Sequence, residues 1–435
     1  MTQTANTKIN NLLPQDKPIH EWYRFVLSYP PHLVRDYLHR FKISSNAIVL
    51  DPFCGTGTTL VECKKLGISS IGIEANPMAH FASQTKVDWS IDPDELWARA
   101  LEIGDSAKEK LRSMGIEEDE VLFALSGKSV RNSLEFRDLS SETKKILINN
   151  SISPLPLHKT LILLDQIESH KNTPYYHHLR LASATTAVQD ASNLYFGPEI
   201  GVGKIKLDAP VINPWLSKIY MMSEDIRQFM ILSQIPCEVY LSDARQSDIN
   251  LKSGSVDFVM TSPPYPNEKD YTRITRLESV LLGFIHDRAS LQALKRGLLR
   301  SNTRNVYKGD SDDIWINEVA SIQILAQTIE ARRVELGKTS GFEKLYAKLT
   351  KLYFGGMARH LAHLRSLLRP GAHLAYVVGD QASYFRVMIR TGELLGEIAQ
   401  GLGYELVSID LFRTRLATST KEQLREEVVV LRWPG

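Results

Sequence analysis

The stretch Ile48-Val49-Leu50-Asp51-Pro52-Phe53-Cys54-Gly55-Thr56-Gly57-Thr58-Thr59 decides how the rest of the chain is read. Three apolar residues run into a carboxylate, then a glycine-spaced turn, then hydroxyl residues opening a helical pattern at Leu60, Val61, Cys63 and Leu66. That order predicts a buried strand, a tight loop and a helix start. Gly55 and Gly57 tolerate positive φ and a close approach of backbone to a ligand, and the helix N-terminus offers free N–H groups. Beyond the helix, Ser70-Ile71-Gly72-Ile73-Glu74 predicts a second strand ending in an acid. It follows the loop by roughly 20 residues, the distance at which nucleotide-binding βαβ units set a carboxylate on ribose hydroxyls. The P-loop pattern fails because Thr58, not a lysine, follows Gly57, and the dinucleotide fingerprint wants a third glycine. A purely structural strand-to-helix turn is the plainer alternative for this stretch taken alone.

The chain around it is 435 residues long, enough for two or three domains or for one with large insertions. Its composition is that of a globular protein with ample apolar material for a core. A net charge of +2 means that any nucleic-acid surface is a local patch and not a global field. Cys54, Cys63 and Cys237 are too few and too scattered for a disulfide framework or a zinc site, which fits a reduced cytoplasmic setting. Residues 1–20 read as a polar tail without a secretory signal. No apolar run reaches the ~18 residues of a membrane span.

Pro30 and Pro31 fit a helix N-terminus, with Leu33, Val34, Tyr37, Leu38 and Phe41 on its apolar face. Between 81 and 235 the strand signal weakens. Helical periods run over Asp94–Met114, Glu117–Leu125, Ser141–Ile148 and Ile219–Leu232, with a glycine-rich loop at Tyr195–Lys204. The α/β pattern returns at Cys237–Ala244, another strand ending in an acid, Asp243. It continues at Val256-Asp257-Phe258-Val259-Met260-Thr261, a strand running into Ser262-Pro263-Pro264-Tyr265. A second insertion, 266–350, is basic in its first half and helical later. A helix over Phe354–Leu368, a strand over His373–Asp380, a helix over Gly392–Leu402 and strands Tyr404–Leu411 and Glu427–Leu431 complete the chain. Arg413–Leu424 reads as a loop, and the last two strands, with no helix between them, should pair antiparallel. Ligands of open parallel sheets sit at the carboxyl ends of strands, so Asp51, Glu74, Asp243 and Ser262 should converge on one rim.

Ser-Pro-Pro-Tyr is the most specific signal. Two prolines remove backbone donors and fix φ, leaving the Ser262 and Pro263 carbonyls as acceptors. Acceptors beside an aromatic ring suit a flat molecule with an exocyclic amine, with Tyr265 stacking on it. At these residues the chain resembles the S-adenosylmethionine-dependent amino-methyltransferases of DNA. Asp51-Pro-Phe-Cys-Gly-Thr-Gly57 resembles their cofactor loop and Thr261-Ser-Pro-Pro-Tyr265 their catalytic motif. Serine in first place resembles the cytosine-N4 enzymes; adenine-N6 enzymes usually carry Asp or Asn there. The likeness extends to Phe25–Pro31, taken as the helix before the first strand, and to Ile71–Pro77, Leu241–Arg245, Leu368–Asp380 and Glu426–Arg432.

The resemblance implies a Rossmann-like catalytic domain made of 1–80 and 236–435. Segment 81–235 would be a mostly helical insertion, and 266–350 a basic and helical one. Both are candidates for reading DNA. It implies S-adenosyl-L-methionine as cofactor and no metal. Phe53, Gly55 and Gly57 would line the methionine part, and Asp51, Cys54, Thr58 and Thr59 would bind the cofactor with them. Glu74 would take the ribose, Asp243 and Ala244 the adenine, and Ser28 and Tyr29 would close over the cofactor's carboxylate and amine. Ser262, Pro263, Pro264 and Tyr265 would act on the N4 of a cytosine flipped out of double-stranded DNA. A restriction-modification or defence setting, with a cognate restriction endonuclease as partner, is implied too. Lys269, Arg273, Arg276, Lys295, Arg296, Arg300 and Arg304 are the candidates for DNA phosphates, against a solvated helix face as the plainer account. The cofactor loop precedes the catalytic motif, the reverse of the commonest order in cytosine-N4 enzymes, as in a circular permutation. Methylation of adenine N6 or of RNA is the runner-up, and a non-catalytic binding protein on the same fold is the alternative of another class.

Overall fold

The computed structural model describes residues 12–24, 28–118, 135–197, 199–246, 249, 251–416 and 423–435. The first regular elements are α1 (Pro31–Arg40), β1 (Ile48–Asp51), α2 (Thr58–Lys65), β2 (Ser69–Glu74) and α3 (Pro77–Lys86). A helical segment follows, with α4 (Pro93–Ser113), α5 (Ser141–Lys144), α6 (Pro154–Glu168) and α7 (Tyr176–Thr186). It ends in the strands β3 (Leu194–Phe196) and β4 (Ile200–Val202) and in α8 (Ile212–Phe229). After β5 (Cys237–Leu241) and β6 (Val256–Thr261) come α9 (Tyr271–Ile274), α10 (Arg276–Leu281), α11 (Arg288–Gly297), α12 (Ala320–Glu335) and α13 (Tyr346–Leu364). The chain closes with β7 (Leu368–Gly379), α14 (Thr391–Gly401), β8 (Glu405–Leu416) and β9 (Gln423–Arg432).

Seven strands form one sheet in the order β5-β2-β1-β6-β7-β9-β8. β5, β2, β1, β6 and β7 run parallel, and β9 lies antiparallel between β7 and β8. This is the expected α/β architecture: a mostly parallel Rossmann-like sheet with helical insertions and a C-terminal antiparallel strand. The order reverses between β1 and β6, the point at which such sheets open a crevice at their carboxyl ends.

Strand alternation builds the layers. Val49, Phe258, Met260, Ala375, Val377, Val428 and Val430 face α1 and α2, meeting Leu33, Val34, Leu38 and Cys63. Their neighbours Leu50, Val259, Leu374, Tyr376, Val378, Val429 and Leu431 point the other way, onto Tyr353, Met357 and Leu361 of α13 and Leu395 and Ile398 of α14. Because both faces are covered, the strands read as nearly continuous apolar runs. The helices of 93–229 bury Ile103, Ile162, Leu181 and Trp215 in a third cluster that includes Leu60, Val61 and Phe81 of α2 and α3. That helical segment therefore shares its core with the sheet's own helices. Among the described residues no helix is long and apolar enough to cross a membrane.

Several boundaries differ from the sequence reading. The end of the polar tail is buried: Ile19 and Trp22 are fully covered, and both donate to Asp225 on α8, from the Ile19 N–H at 2.7 Å and the Trp22 indole at 2.8 Å. The helix expected over Phe25–Pro31 starts only at Pro31, while Ser28–Pro30 has no regular secondary structure, Pro30 being extended, and Phe25–Leu27 lies outside the described residues. Most of the Glu117–Leu125 helix also lies outside them. The glycine-rich loop is the β3–β4 hairpin. Arg413–Leu416 and Gln423–Leu424 are strand and not loop, because Arg413 pairs in register with Glu426 and its charge is met there.

A close helix contact sets the back wall. At Gly355 and Gly356 of α13, an added Cβ would lie 2.0 Å from the Asp312 carbonyl oxygen and 2.5 Å from Leu299 respectively. Gly355→Ala should gain roughly 1 kcal/mol in helix propensity. It should lose more, about 2–3 kcal/mol, to overpacking against rigid backbone. Urea unfolding should therefore show a lower midpoint; an unchanged or higher one would refute this account of the contact.

Candidate active site

The loop after β1 turns on two glycines with positive φ, +52° at Gly55 and +82° at Gly57. A side chain at Gly57 would also meet Ser83 Oγ of α3 at 2.6 Å, so the turn packs flush on that helix. Asp51 lies beneath, fully buried, and binds three groups from separate parts of the chain. It accepts from the Phe53 N–H at 3.1 Å, the Thr261 hydroxyl at 2.6 Å and the Tyr29 hydroxyl at 3.1 Å. Burial pushes its carboxyl up to about 6, against the pull of those donors. Thr59 extends the tie by donating to the Met260 carbonyl at 3.1 Å and meeting the Tyr29 hydroxyl.

At the end of β2, Glu74 accepts from the Gly55 N–H and the Asn76 N–H, both at 2.8 Å. Burial raises its carboxyl to about 7. Asn76 in turn caps α3 by accepting from the Met78 N–H at 3.0 Å, with Pro77 in the first helical position. After β5, Asp243 is held by Arg245, whose guanidinium also meets Asp312. The Ala244 carbonyl accepts from His360 Nδ1 at 2.9 Å, so His360 Nε2 must accept from the Tyr376 hydroxyl at 2.7 Å. Burial keeps that histidine neutral, with its pKa down at about 4. After β6, the Ser262 hydroxyl donates to the Val377 carbonyl on β7 at 3.1 Å. Its hydrogen is committed there, and its oxygen, which also meets the Tyr265 hydroxyl, keeps a lone pair to accept with.

These ends surround one cavity of about 460 Å³. Ser28, Tyr29, Phe53, Cys54, Gly55, Thr58, Glu74, Asp243 and Ala244 line it together with Ser262, Pro263, Pro264 and Tyr265. Gly57, Asp51 and Thr59 stand behind that lining. The convergence expected for the strand ends is therefore present, with Asp51 in a supporting place.

The basic candidates divide. Lys269 lines the cavity. Arg276, Lys295 and Arg300 are buried and satisfied inside the fold, which corrects their reading as DNA contacts. Arg276 donates to the Thr272 and Ile146 carbonyls, Lys295 pairs with Asp270, and Arg300 pairs with Asp310. Arg296 is exposed, its guanidinium 5.3 Å from the Tyr307 ring centre. Arg273 and Arg304 lie on a neighbouring cleft.

Sequence reasoning missed part of the wall. Asn76, Asn305, Gln381, Phe412, Arg413 and Glu426 also line the cavity. Glu426 pairs with Arg413 across the β8–β9 hairpin and stands beside Tyr265 at Gly379. Asn76 was legible as a helix cap before Pro77. The others carry no local signal, because only strand register and a distant loop bring them here.

The Rossmann-like sheet has a glycine turn after its first strand, acids on the next two strand ends and Ser-Pro-Pro-Tyr on the fourth, all opening on one cavity. Comparison with known proteins sharpens this. A family model described as DNA methylase matches residues 5–84. Type II methyltransferase M.BsoBI of Geobacillus stearothermophilus is 24% identical, over 99% of this chain and 87% of its own length. Type II methyltransferase M.AvaI of Nostoc is 22% identical, over 97% and 87%. Type II methyltransferase M.MjaII of Methanocaldococcus jannaschii is 33% identical over 103 residues, 23% of this chain. The chain is thus similar to Type II DNA methyltransferases over nearly its whole length.

Asp51→Ala should strand the Thr261 and Tyr29 hydroxyls in buried surroundings and cost about 3 kcal/mol of stability. Asp51→Asn, which keeps an acceptor oxygen, should cost less. Equal urea midpoints for the wild type and Asp51→Ala would contradict the assigned tie.

Proposed function

We propose that the chain transfers a methyl group from S-adenosyl-L-methionine to the exocyclic N4 of a cytosine flipped out of double-stranded DNA, in a restriction-modification setting. The observation that carries this reading is Ser262: an acceptor oxygen on a proline-stiffened strand end, opening into the same cavity as the glycine loop, Glu74 and Asp243.

The residues present fit the proposed cofactor. It carries no phosphates, and the loop accordingly has glycines and hydroxyls but no lysine. Positive φ at Gly55 and open space where its Cβ would be leave room for a ligand against the backbone. Each Glu74 oxygen accepts one backbone hydrogen bond and keeps a lone pair for a ribose hydroxyl. Phe53, Cys54 and Thr58 would flank the methionine part, Asp243 and Ala244 the adenine, and Ser28 and Tyr29 the amino-acid end. When bound, the cofactor supplies an electrophilic methyl group.

The protein's part is positioning. Extruding the base costs a few kcal/mol. Ser262 Oγ and the Pro263 carbonyl accept the hydrogens of the amine and raise electron density on its nitrogen, while Tyr265 covers the ring. Pro263 and Pro264 hold these acceptors at fixed φ, so the amine would be held in one orientation toward the bound methyl donor. A serine hydroxyl is a weak base, so the proton leaves after transfer and not before. The similarity to Type II methyltransferases over nearly the whole chain supports DNA as the substrate.

Ser262→Ala should lower methyl transfer to DNA about 100-fold or more, by analogy with loss of one oriented hydrogen-bonding group. Cofactor affinity measured by calorimetry should hold. Nucleoside mass spectrometry of DNA from an expressing host should reveal N4-methyldeoxycytidine; N6-methyldeoxyadenosine alone would overturn the choice of base.

Glu74 adds a pH signature. Its free-state pKa is raised to about 7 by burial. Ribose hydroxyls favour the ionised form, so binding lowers that pKa and releases a proton below pH 7. Cofactor affinity should thus fall as pH drops, approaching a tenfold loss per pH unit well below 7. Calorimetry at pH 6, 7 and 8 should show this dependence, and Glu74→Gln should bind weakly with a flat profile. A flat wild-type profile would remove Glu74 from the ribose role.

A further inference from the structure

Beside the main cavity lies a second cleft of about 330 Å³, and Lys269 lines both. Its walls come from both insertions. Phe196 and Glu199 belong to the β3–β4 hairpin of the helical segment, and Arg273, Arg304 and Phe342 belong to the basic one. The partition between the two spaces is the turn Asn267–Lys269, where Glu268 has a positive φ of 66°. A non-glycine residue in that region persists only when its surroundings over-determine it. Here they do: the Glu268 carboxylate accepts from the Thr303 N–H and hydroxyl, both at 3.0 Å, and its own N–H donates to the Ser301 carbonyl at 3.1 Å. The floor is tied to the cavity as well. Tyr346 of this cleft stacks on Tyr384 at 4.5 Å, in the loop that places Gln381 and Ser383 on the cavity wall.

The charge inventory is lopsided. Glu268 is engaged by Thr303, and Asp270 by Lys295 at 2.7 Å and by Thr272. Lys269, Arg273 and Arg304 make no ion pair within 4 Å among the described residues, and Glu199 makes none either, meeting Lys269 only at longer range. Three cations without a close partner face one such acid, Glu199. Phe342, 54% exposed, adds an aromatic face at the rim. Cations that track a backbone, next to aromatic faces that take bases, are the two parts of a seat for a nucleic-acid strand.

We propose that this cleft seats the DNA strand carrying the target nucleotide, immediately beside that nucleotide. Lys269, Arg273 and Arg304 meet its phosphates, and Phe196 and Phe342 meet a neighbouring base. The inference rests on the DNA-methylating reading above and goes beyond it: the two insertions do not compete for the DNA but build one composite seat. Glu199 on the hairpin is placed to accept from an amino group on a base edge.

The test uses the full chain and a labelled duplex containing the site mapped by methylation sequencing. Binding is measured against salt concentration by anisotropy. Each of Arg273→Gln and Arg304→Gln should reduce the slope of log K against log salt by about 0.9, the contribution of one phosphate contact. Cofactor affinity by calorimetry should be unchanged, which also reports that the variants fold. Arg99→Gln, on the exposed face of α4, should leave the slope as it is. Wild-type protein with 5-iododeoxyuridine flanking the modified base should photocrosslink to peptides holding Phe196 or Phe342. Unchanged slopes, or crosslinks confined to other peptides, overturn the composite seat while leaving methylation intact. A wild type that neither binds cofactor nor methylates DNA would instead sink the functional reading itself.

Discussion

One buried carboxylate holds the centre of this molecule together. Asp51 ends β1 and joins, through three hydrogen bonds, the glycine loop at Phe53, the strand leading into Ser-Pro-Pro-Tyr at Thr261 and the chain segment at Tyr29. A buried acid is costly unless its lone pairs are met, and here the groups that meet them are the ones whose relative positions matter. Because the donor strand is β6, which pairs with β1, the loop and the Ser-Pro-Pro-Tyr turn cannot drift apart independently. The placing of methyl donor against acceptor in the proposed reaction depends on that single tie.

Around it, each strand end is braced by a neighbour that is itself unable to move. Glu74 is oriented by backbone N–H groups from the loop and from the start of α3. Asp243 is oriented by an arginine clamped to Asp312. The Ala244 carbonyl is held by a neutral histidine in a fixed tautomer. The Ser262 hydroxyl is committed to β7 and meets Tyr265, which fixes where its remaining lone pair points. Pre-positioning of this kind suits a reaction in which the protein contributes placement more than covalent chemistry. The C-terminal hairpin completes the enclosure, with the Arg413–Glu426 pair closing the side next to Tyr265.

The insertions illustrate how function outgrows a core fold. The helical segment shares an apolar core with α2 and α3, so it is welded to the sheet and not hung from it. That attachment lets a short hairpin at its far end meet the basic insertion across a cleft. The seven basic residues that looked equivalent along the chain separate once folded: three are internal struts, three ring the cleft or stand between it and the cavity, and Arg296 is exposed beside Tyr307.

The sheet's parallel part, the glycine turn, the acids at the strand ends and the Ser-Pro-Pro-Tyr motif were legible in the sequence. They are local patterns: apolar runs, turn chemistry and residues a few positions apart. The buried stretch Ile19–Trp22, the extended β8–β9 hairpin, the fates of Arg276, Lys295 and Arg300, and the presence of Asn305 and Glu426 in the cavity were not. Some depend on a partner distant in the chain, such as Asp225 for Trp22, and others on a turn that folds a nearby residue back, as Asp310 onto Arg300. Sequence by itself determined which chemical groups stand at the strand ends, since the backbone's own periodicity delivers them there. Only the tertiary structure decided which charges are spent inside and which face outward, because pairing and burial are settled by contacts between segments that the linear order does not encode.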